Sequence, residues 1–268
     1  MGLESSRSAG SASSERIVLS VRDVALRFGG LRALDGVSFD VTPGRVTGLV
    51  GPNGAGKTTL FNVISGLHRA NAGTITYAGH RIERESPHLI TRRGLVRTFQ
   101  IARGFPALTV FEHLMVYGVR QPGERLTAAV VGSAVARARE QELADKALAI
   151  AARLRLSHVI DNRVTDLSGG QKKLLEIGRA LMADPGLILF DEPAAGVNPT
   201  LAEEIGDELL ALAAGGLTVL LIEHDMALIE RICAHVIVMA RGRTLAEGSF
   251  DEVRNDRAVQ DAYLGGRR

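Results

Sequence analysis

The stretch GPNGAGKT, residues 51–58, limits what this chain can fold into more than any other. It follows an apolar run ending in Leu49 and Val50. It opens a segment in which Leu60, Val63, Ile64 and Leu67 recur at helical spacing. Gly51, Gly54 and Gly56 let backbone N–H groups wrap an anion with no Cβ in the way. Lys57 adds a compact point charge and Thr58 a hydroxyl. A glycine-rich turn that only joined a strand to a helix would not call for the full G-x-x-x-x-G-K-[ST] pattern in this setting. The loop therefore predicts a strand before it, a helix after it, and phosphate oxygens inside it.

The rest of the chain is read around that unit. Residues 16–28 and 37–50 read as strands joined by GGLRALDG, and 73–82 as a short hairpin around Ala78-Gly79. GLILF (186–190) and LTVLLI (217–222) are continuous apolar strands. Helices follow at about 199–214 and 226–233, and residues 235–248 form a hairpin turning at Gly242. Apolar strands alternating with amphipathic helices predict a parallel sheet covered on both faces, an α/β fold. From about 86 to 165 the character is helical, with Leu143, Ala147, Ile150 and Leu154 on one face, and this block is expected as an inserted helical subdomain. The remainder reads as one domain over 16–268, with residues 1–15, serine-rich and apolar-poor, as a disordered tail. The start of that tail formally fits a myristoylation pattern at Gly2 and Ser6, one short enough to arise by chance.

Composition narrows the class. With 46% apolar residues the chain can bury a large core, and a net charge of +2 argues against nucleic acid as a partner. Lysine occurs only at 57, 146, 172 and 173 in a chain that otherwise uses arginine, which makes Lys57 stand out. Cys233 is the only cysteine, so no internal disulfide can form, and a reducing compartment fits. No apolar run approaches the roughly 18 residues of a membrane span, and no secretory leader is expected. The segment TRRGLVRTFQIARGF carries Arg92, Arg93, Arg97 and Arg103, read mostly as a solvated basic face with contact to a membrane partner or lipid headgroups as the alternative.

A second site is suggested by LSGGQKKLLEIG. Ser168 and Gln171 have capping-box spacing, with Leu174, Ile177, Gly178 and Leu181 as the buried stripe and Asp184-Pro185 as the stop. That accounts for Ser168 and Gln171 but not for Gly169 and Gly170, each of which costs about 1 kcal/mol in a helix. Bare N–H groups at a positive helix end suit a phosphate. An acid at the end of LILFDE, Asp191, suits a metal, and Glu192 beside it suits a base for water.

Together, GPNGAGKT, LILFDE and LSGGQ resemble the ATP-binding cassette (ABC) family of ATPases. The resemblance implies a P-loop NTPase (RecA-like) core, a small antiparallel β subdomain and the inserted α-helical subdomain. It implies ATP and Mg²⁺ as cofactors, and two ATPs buried between head-to-tail cassettes. Ser168, Gly169, Gly170 and Gln171 would then face the nucleotide held by the partner. Gly51, Pro52, Asn53, Gly54, Ala55, Gly56, Lys57, Thr58 and Thr59 would cradle the phosphates, and Phe28 would stack on adenine. Thr58, Gln100 and Asp191 would hold Mg²⁺. Glu192, His224, Lys57 and Gln100 would form the catalytic set. One departure is the loop after the acids, which reads Ala195, Gly196, Val197, Asn198 where many cassettes have S-A-L-D. Asn198 remains a good N-cap with Pro199 behind it.

FGGLRAL, RTFQ, PAAGVNP, EHDM and DAYLG further resemble the ATPase subunits of branched-chain amino acid importers. That branch implies integral-membrane permease subunits, a second cassette ATPase forming a heterodimer or homodimer, and an extracytoplasmic solute-binding protein. The expected place is the cytoplasmic face of the cell membrane. Importers of urea, short amides or aromatic acids, an exporter, and a soluble cluster-assembly ATPase are the alternatives.

Overall fold

A computed structural model describes residues 17–98, 105–119 and 134–264. Gln100, Arg103 and the serine-rich tail lie outside these.

The first sheet is antiparallel, in the order β2-β1-β4-β5, from β1 (Leu19–Phe28), β2 (Leu31–Val41), β4 (Ala72–Tyr77) and β5 (His80–Arg81). The second has the order β10-β9-β3-β8-β7-β6, from β3 (Val46–Val50), β6 (Leu95–Arg97), β7 (Leu187–Asp191), β8 (Thr218–Ile222), β9 (His235–Ala240) and β10 (Arg243–Gly248). Its neighbours pair in parallel except β9 and β10, which form a hairpin.

Alternation along the buried strands divides the core. Leu49, Leu187, Leu189, Leu220 and Ile222 pack toward the antiparallel sheet and α1 (Lys57–Ile64). Val46, Val50, Ile188, Phe190, Val219 and Leu221 pack on the opposite side. Strands apolar on both faces read as unbroken runs because a parallel sheet hides both of them.

The other helices among the described residues are α2 (Pro87–Arg92), α3 (Val110–Val116), α4 (Ala134–Arg153), α5 (Gly169–Met182), α6 (Pro199–Ala214), α7 (Met226–Ile232), α8 (Phe250–Asn255) and α9 (Arg257–Leu264). Leu143, Ala147, Ile150 and Leu154 of α4 are buried as the spacing predicts, and they join α3 and α5 in one cluster. Gly178 of α5 sits where an added Cβ would meet Leu114, Leu154 and Ile150 at 3.0–3.2 Å, so a glycine lets these helices approach.

Five local expectations need correction. Residues 37–50 are two strands in different sheets, split at Thr42–Arg45 by a turn through Pro43 and Gly44. Most of GGLRALDG is not a connection but the start of β2, paired with the end of β1. The helical block does not begin at 86, since Leu95–Arg97 form β6 beside β7 and Ile90 of α2 belongs to the core shared with α1. Leu67 lies past the end of α1 and is exposed. On α5 the buried residues are Leu175, Ile177, Gly178, Ala180 and Met182, with Leu174 and Leu181 only partly covered. That stripe shifts because α5 packs on two sides, on the sheet and on α3 and α4.

Candidate nucleotide site

The chain leaves β3 at Val50 and enters α1 at Lys57 through a loop with three left-handed glycines, Gly51 (φ 147°), Gly54 (φ 79°) and Gly56 (φ 100°). A Cβ on Gly51 would fall 2.0 Å from the Met239 carbonyl oxygen, and one on Gly56 would fall 2.7 Å from that of Ala33. Only glycine lets the loop run this close to its neighbours. Asn53 through Thr59 line a cavity of about 360 Å³ with Leu31, Arg32 and Ala33 of β2, Glu192 and His224.

Lys57 is buried, and its ammonium donates to the carbonyls of Gly51 (2.7 Å) and Pro52 (3.3 Å). Burial lowers its pKa, opposed by the negative charges of Glu192 and Asp191. These bonds bring the charge to the loop itself, where it can be handed to a phosphate.

The acids come from the carboxyl ends of adjacent parallel strands. Asp191 ends β7 opposite Ile222 of β8, and the Glu192 amide donates to the Ile222 carbonyl at 2.9 Å. Glu192 itself has φ 54°, a left-handed conformation uncommon for a residue with a side chain. Its carboxylate oxygen lies 2.9 Å from Nε2 of His224. Behind them, Glu223 is buried and accepts from the amides of Ala194 (2.8 Å) and His224 (3.1 Å). Desolvation raises its pKa, more than those two amides lower it.

The structure thus brings together Asn53, Gly54, Ala55, Gly56, Lys57, Thr58, Thr59, Glu192 and His224, with Asp191 at the adjoining strand end. Gly51 and Pro52 contribute carbonyls to Lys57. Phe28 does not line the cavity. It is 47% exposed at the end of β1, with the His68 ring edge-on at 5.3 Å. Ser168, Gly169, Gly170 and Gln171 do not line it either. Ser168 caps α5 with Gln171 as its box partner, the Ser168 amide donating to Gln171 at 2.9 Å. A Cβ on Gly169 would point into open space, whereas one on Gly170 would land 2.2 Å from the Leu201 side chain. Asn198 caps α6 by accepting from the Leu201 amide.

Three contributors escaped the sequence reading. Arg97 is not part of a basic face: its guanidinium is buried, bonded to Asp191 (2.9 Å) and Asn62 (2.5 Å). Arg93 is likewise paired, with Glu85 at 2.6 Å. Lys173 of α5 donates to the Glu192 carbonyl at 3.1 Å, tying the second glycine loop's helix to the acid strand. Arg32 reaches the cavity because β2 begins earlier than expected. The only hint of the Arg97 pairing was an arginine ending a short apolar run.

Exposed Thr58 at the start of α1 and Asp191 at the end of β7 are hard oxygen donors. So sparse a protein donor set suits Mg²⁺, which keeps waters and substrate phosphates as its other ligands.

A family model described as "ABC transporter" matches residues 34–195, and one described as "Branched-chain amino acid ATP-binding cassette transporter" matches residues 243–268. The chain is 39% identical over 248 residues to a probable branched-chain amino acid transport ATP-binding protein LivG of Archaeoglobus fulgidus, covering 92% of this chain and 95% of that one. It is 37% identical to the high-affinity branched-chain amino acid transport ATP-binding protein BraF of Pseudomonas aeruginosa, covering 93% and 98%. Among solved structures, a nucleotide-free ATP-binding cassette from an ABC transporter superposes with a TM-score of 0.81 at 39% identity, covering 92% of this chain and 99% of that one. The ADP conformation of such a cassette gives a TM-score of 0.82 at 39% identity, covering 93% and 99%.

Proposed function

The chain belongs to the ABC transporter family and is an ATP-binding cassette ATPase, and from that premise we propose that it is the energising subunit of a branched-chain amino acid importer. The observation that carries the catalytic reading is the convergence of the Asn53–Thr59 loop, Glu192 and His224 on one cavity.

In this reading the loop amides of residues 51–59 hold the phosphates of ATP, and Phe28 stacks on the adenine. Lys57 turns from the Gly51 carbonyl to the β- and γ-phosphates. Thr58, Asp191 and Gln100 would hold Mg²⁺, which when bound offsets phosphate charge. Arg97 and Asn62 keep Asp191 aimed. Glu192 polarises the attacking water, and His224, 2.9 Å from its carboxylate, stabilises charge that builds on the γ-phosphate. Ser168, Gly169 and Gly170 close on the nucleotide of a second cassette, and Gln171 holds Ser168 in place. The open space beside Gly169 supports an outward-facing role, because nothing among the described residues requires a glycine there.

The partners that follow are integral-membrane permease subunits, a second cassette ATPase, identical or different, and an extracytoplasmic solute-binding protein reached through the permease. No nucleic acid is involved. Among the described residues no helix is long and apolar enough to cross a membrane, so the permease would supply the path and this subunit would sit at its cytoplasmic face.

The test is uptake of labelled leucine in cells whose only copy carries Glu192→Gln. Loss of leucine uptake, with protein level and unrelated transport unchanged, is the expected result. Normal leucine uptake in these cells, with ATP turnover of the purified Glu192→Gln chain abolished, would overturn the substrate class.

A further inference from the structure

A cavity of about 490 Å³ opens on the other side of β3 and β9, beneath α7, α8 and α9, and no step above uses it. Ile229, Val236, Val238, Phe250, Val253 and Val259 form its walls. The volume is in the range of small-molecule sites, which are mostly apolar with a few placed polar groups.

Two polar groups here are of opposite charge. Glu230 comes from α7 and Arg254 from α8, and both line the cavity. Neither side chain is bonded to another described residue, while their neighbours are engaged. Arg231 pairs with Asp207 and donates to the Glu203 carbonyl, and Glu252 completes a capping box with Ser249. A purely apolar guest would leave these exposed charges to solvent and make no use of them. A fatty acid would suit Arg254 and be repelled by Glu230. A zwitterion with an apolar side chain matches both charges and fills the apolar walls.

The cavity also adjoins the phosphate loop. Val50, at its edge, is the residue before Gly51, and Tyr263 of α9 lines the same cavity. We propose that this cavity is a second ligand site for a hydrophobic α-amino acid, its ammonium on Glu230 and its carboxylate on Arg254, and that occupancy is communicated to the phosphate loop through Val50. The inference rests on the cavity and not on which solute the transporter moves.

Calorimetric titration of the full chain with L-leucine and L-phenylalanine tests it, beside 4-methylpentanoate, which lacks the ammonium, and 3-methylbutylamine, which lacks the carboxylate. The expected result is saturable amino-acid binding, with each analogue about tenfold weaker or more. Glu230→Gln would weaken leucine but not 4-methylpentanoate, and Arg254→Gln would weaken leucine but not 3-methylbutylamine. Both positions are exposed, and unchanged melting temperatures would show that the variants fold. Saturating amino acid would change the Kd for ATP about fivefold. Absence of saturable binding, equal binding of the uncharged-end analogues, or binding indifferent to both substitutions would overturn the site. An unchanged Kd for ATP with the cavity filled would overturn the coupling.

Discussion

Glu192 stands one residue past β7 in a left-handed conformation, and this turns its carboxylate out of the strand line toward His224. Glu192→Gln keeps the shape and removes the basic oxygen. Steady-state phosphate release is expected to fall by about 10²- to 10⁴-fold while ATP affinity is retained. A loss of affinity with turnover per bound ATP unchanged would move Glu192 out of the chemistry. Glu223 behind it makes a pH-dependent contribution to stability. Its folded pKa is raised by burial, so the folded chain binds its proton more tightly than the unfolded chain does. That contribution is fully present below the unfolded carboxyl pKa and is lost as pH rises through the raised folded value. Urea unfolding at pH 7.5 and pH 5.0 is therefore expected to show wild type gaining on Glu223→Gln as the pH falls. A constant difference between the two would contradict the raised pKa.

The first turn of helix α5 combines a cap with the proposed nucleotide contact, and the two are separable. Its cap is structural: Ser168 accepts from the Gln171 amide, and Gln171 answers at the Ser168 amide. Ser168→Ala is expected to destabilise the fold by about 1 kcal/mol. Gly169 is different, because an added Cβ meets nothing among the described residues and alanine is the better helix former. Gly169→Ala is expected to leave stability unchanged or raise it by up to about 1 kcal/mol, while ATP turnover drops. Melting curves and turnover measured on both variants separate cap from contact. Unimpaired turnover in Gly169→Ala would mean that no nucleotide approaches this turn. The same helix reaches the residue after the acid strand through Lys173, which donates to the Glu192 carbonyl at 3.1 Å.

The two sheets are joined at β2 and β10. The Asp35 amide donates to the Gly242 carbonyl (2.7 Å), Thr244 donates to the Ser38 carbonyl (2.9 Å), and Arg243 pairs with Asp35 (2.7 Å). This seam places Leu31 to Ala33 on the cavity wall. Residues 168–171 of the same chain do not line the assembled cavity, so the proposed completion by a second cassette is to be tested on the whole molecule. Light scattering of Glu192→Gln is expected to show a doubled mass with ATP and a single chain without it. A monomer at saturating ATP would mean that the second subunit needs the permease to hold it.

Short-range patterns were legible in the residues themselves: the phosphate loop between a strand and a helix, the caps of α5 and α6, the apolar strands β7 and β8, and the buried face of α4. Each of these depends on neighbours within a few positions, where steric and hydrogen-bonding rules act on the local chain. The tertiary structure alone decided that Arg97 serves Asp191, 94 residues away, and that β2 meets β10 across 206 residues. It also placed Leu95–Arg97 in the sheet and set two opposite charges, Glu230 and Arg254, at an apolar cavity by the C-terminal helices. These depend on which buried surfaces find each other, and a side chain's partner across the fold leaves almost no trace in the residues flanking it.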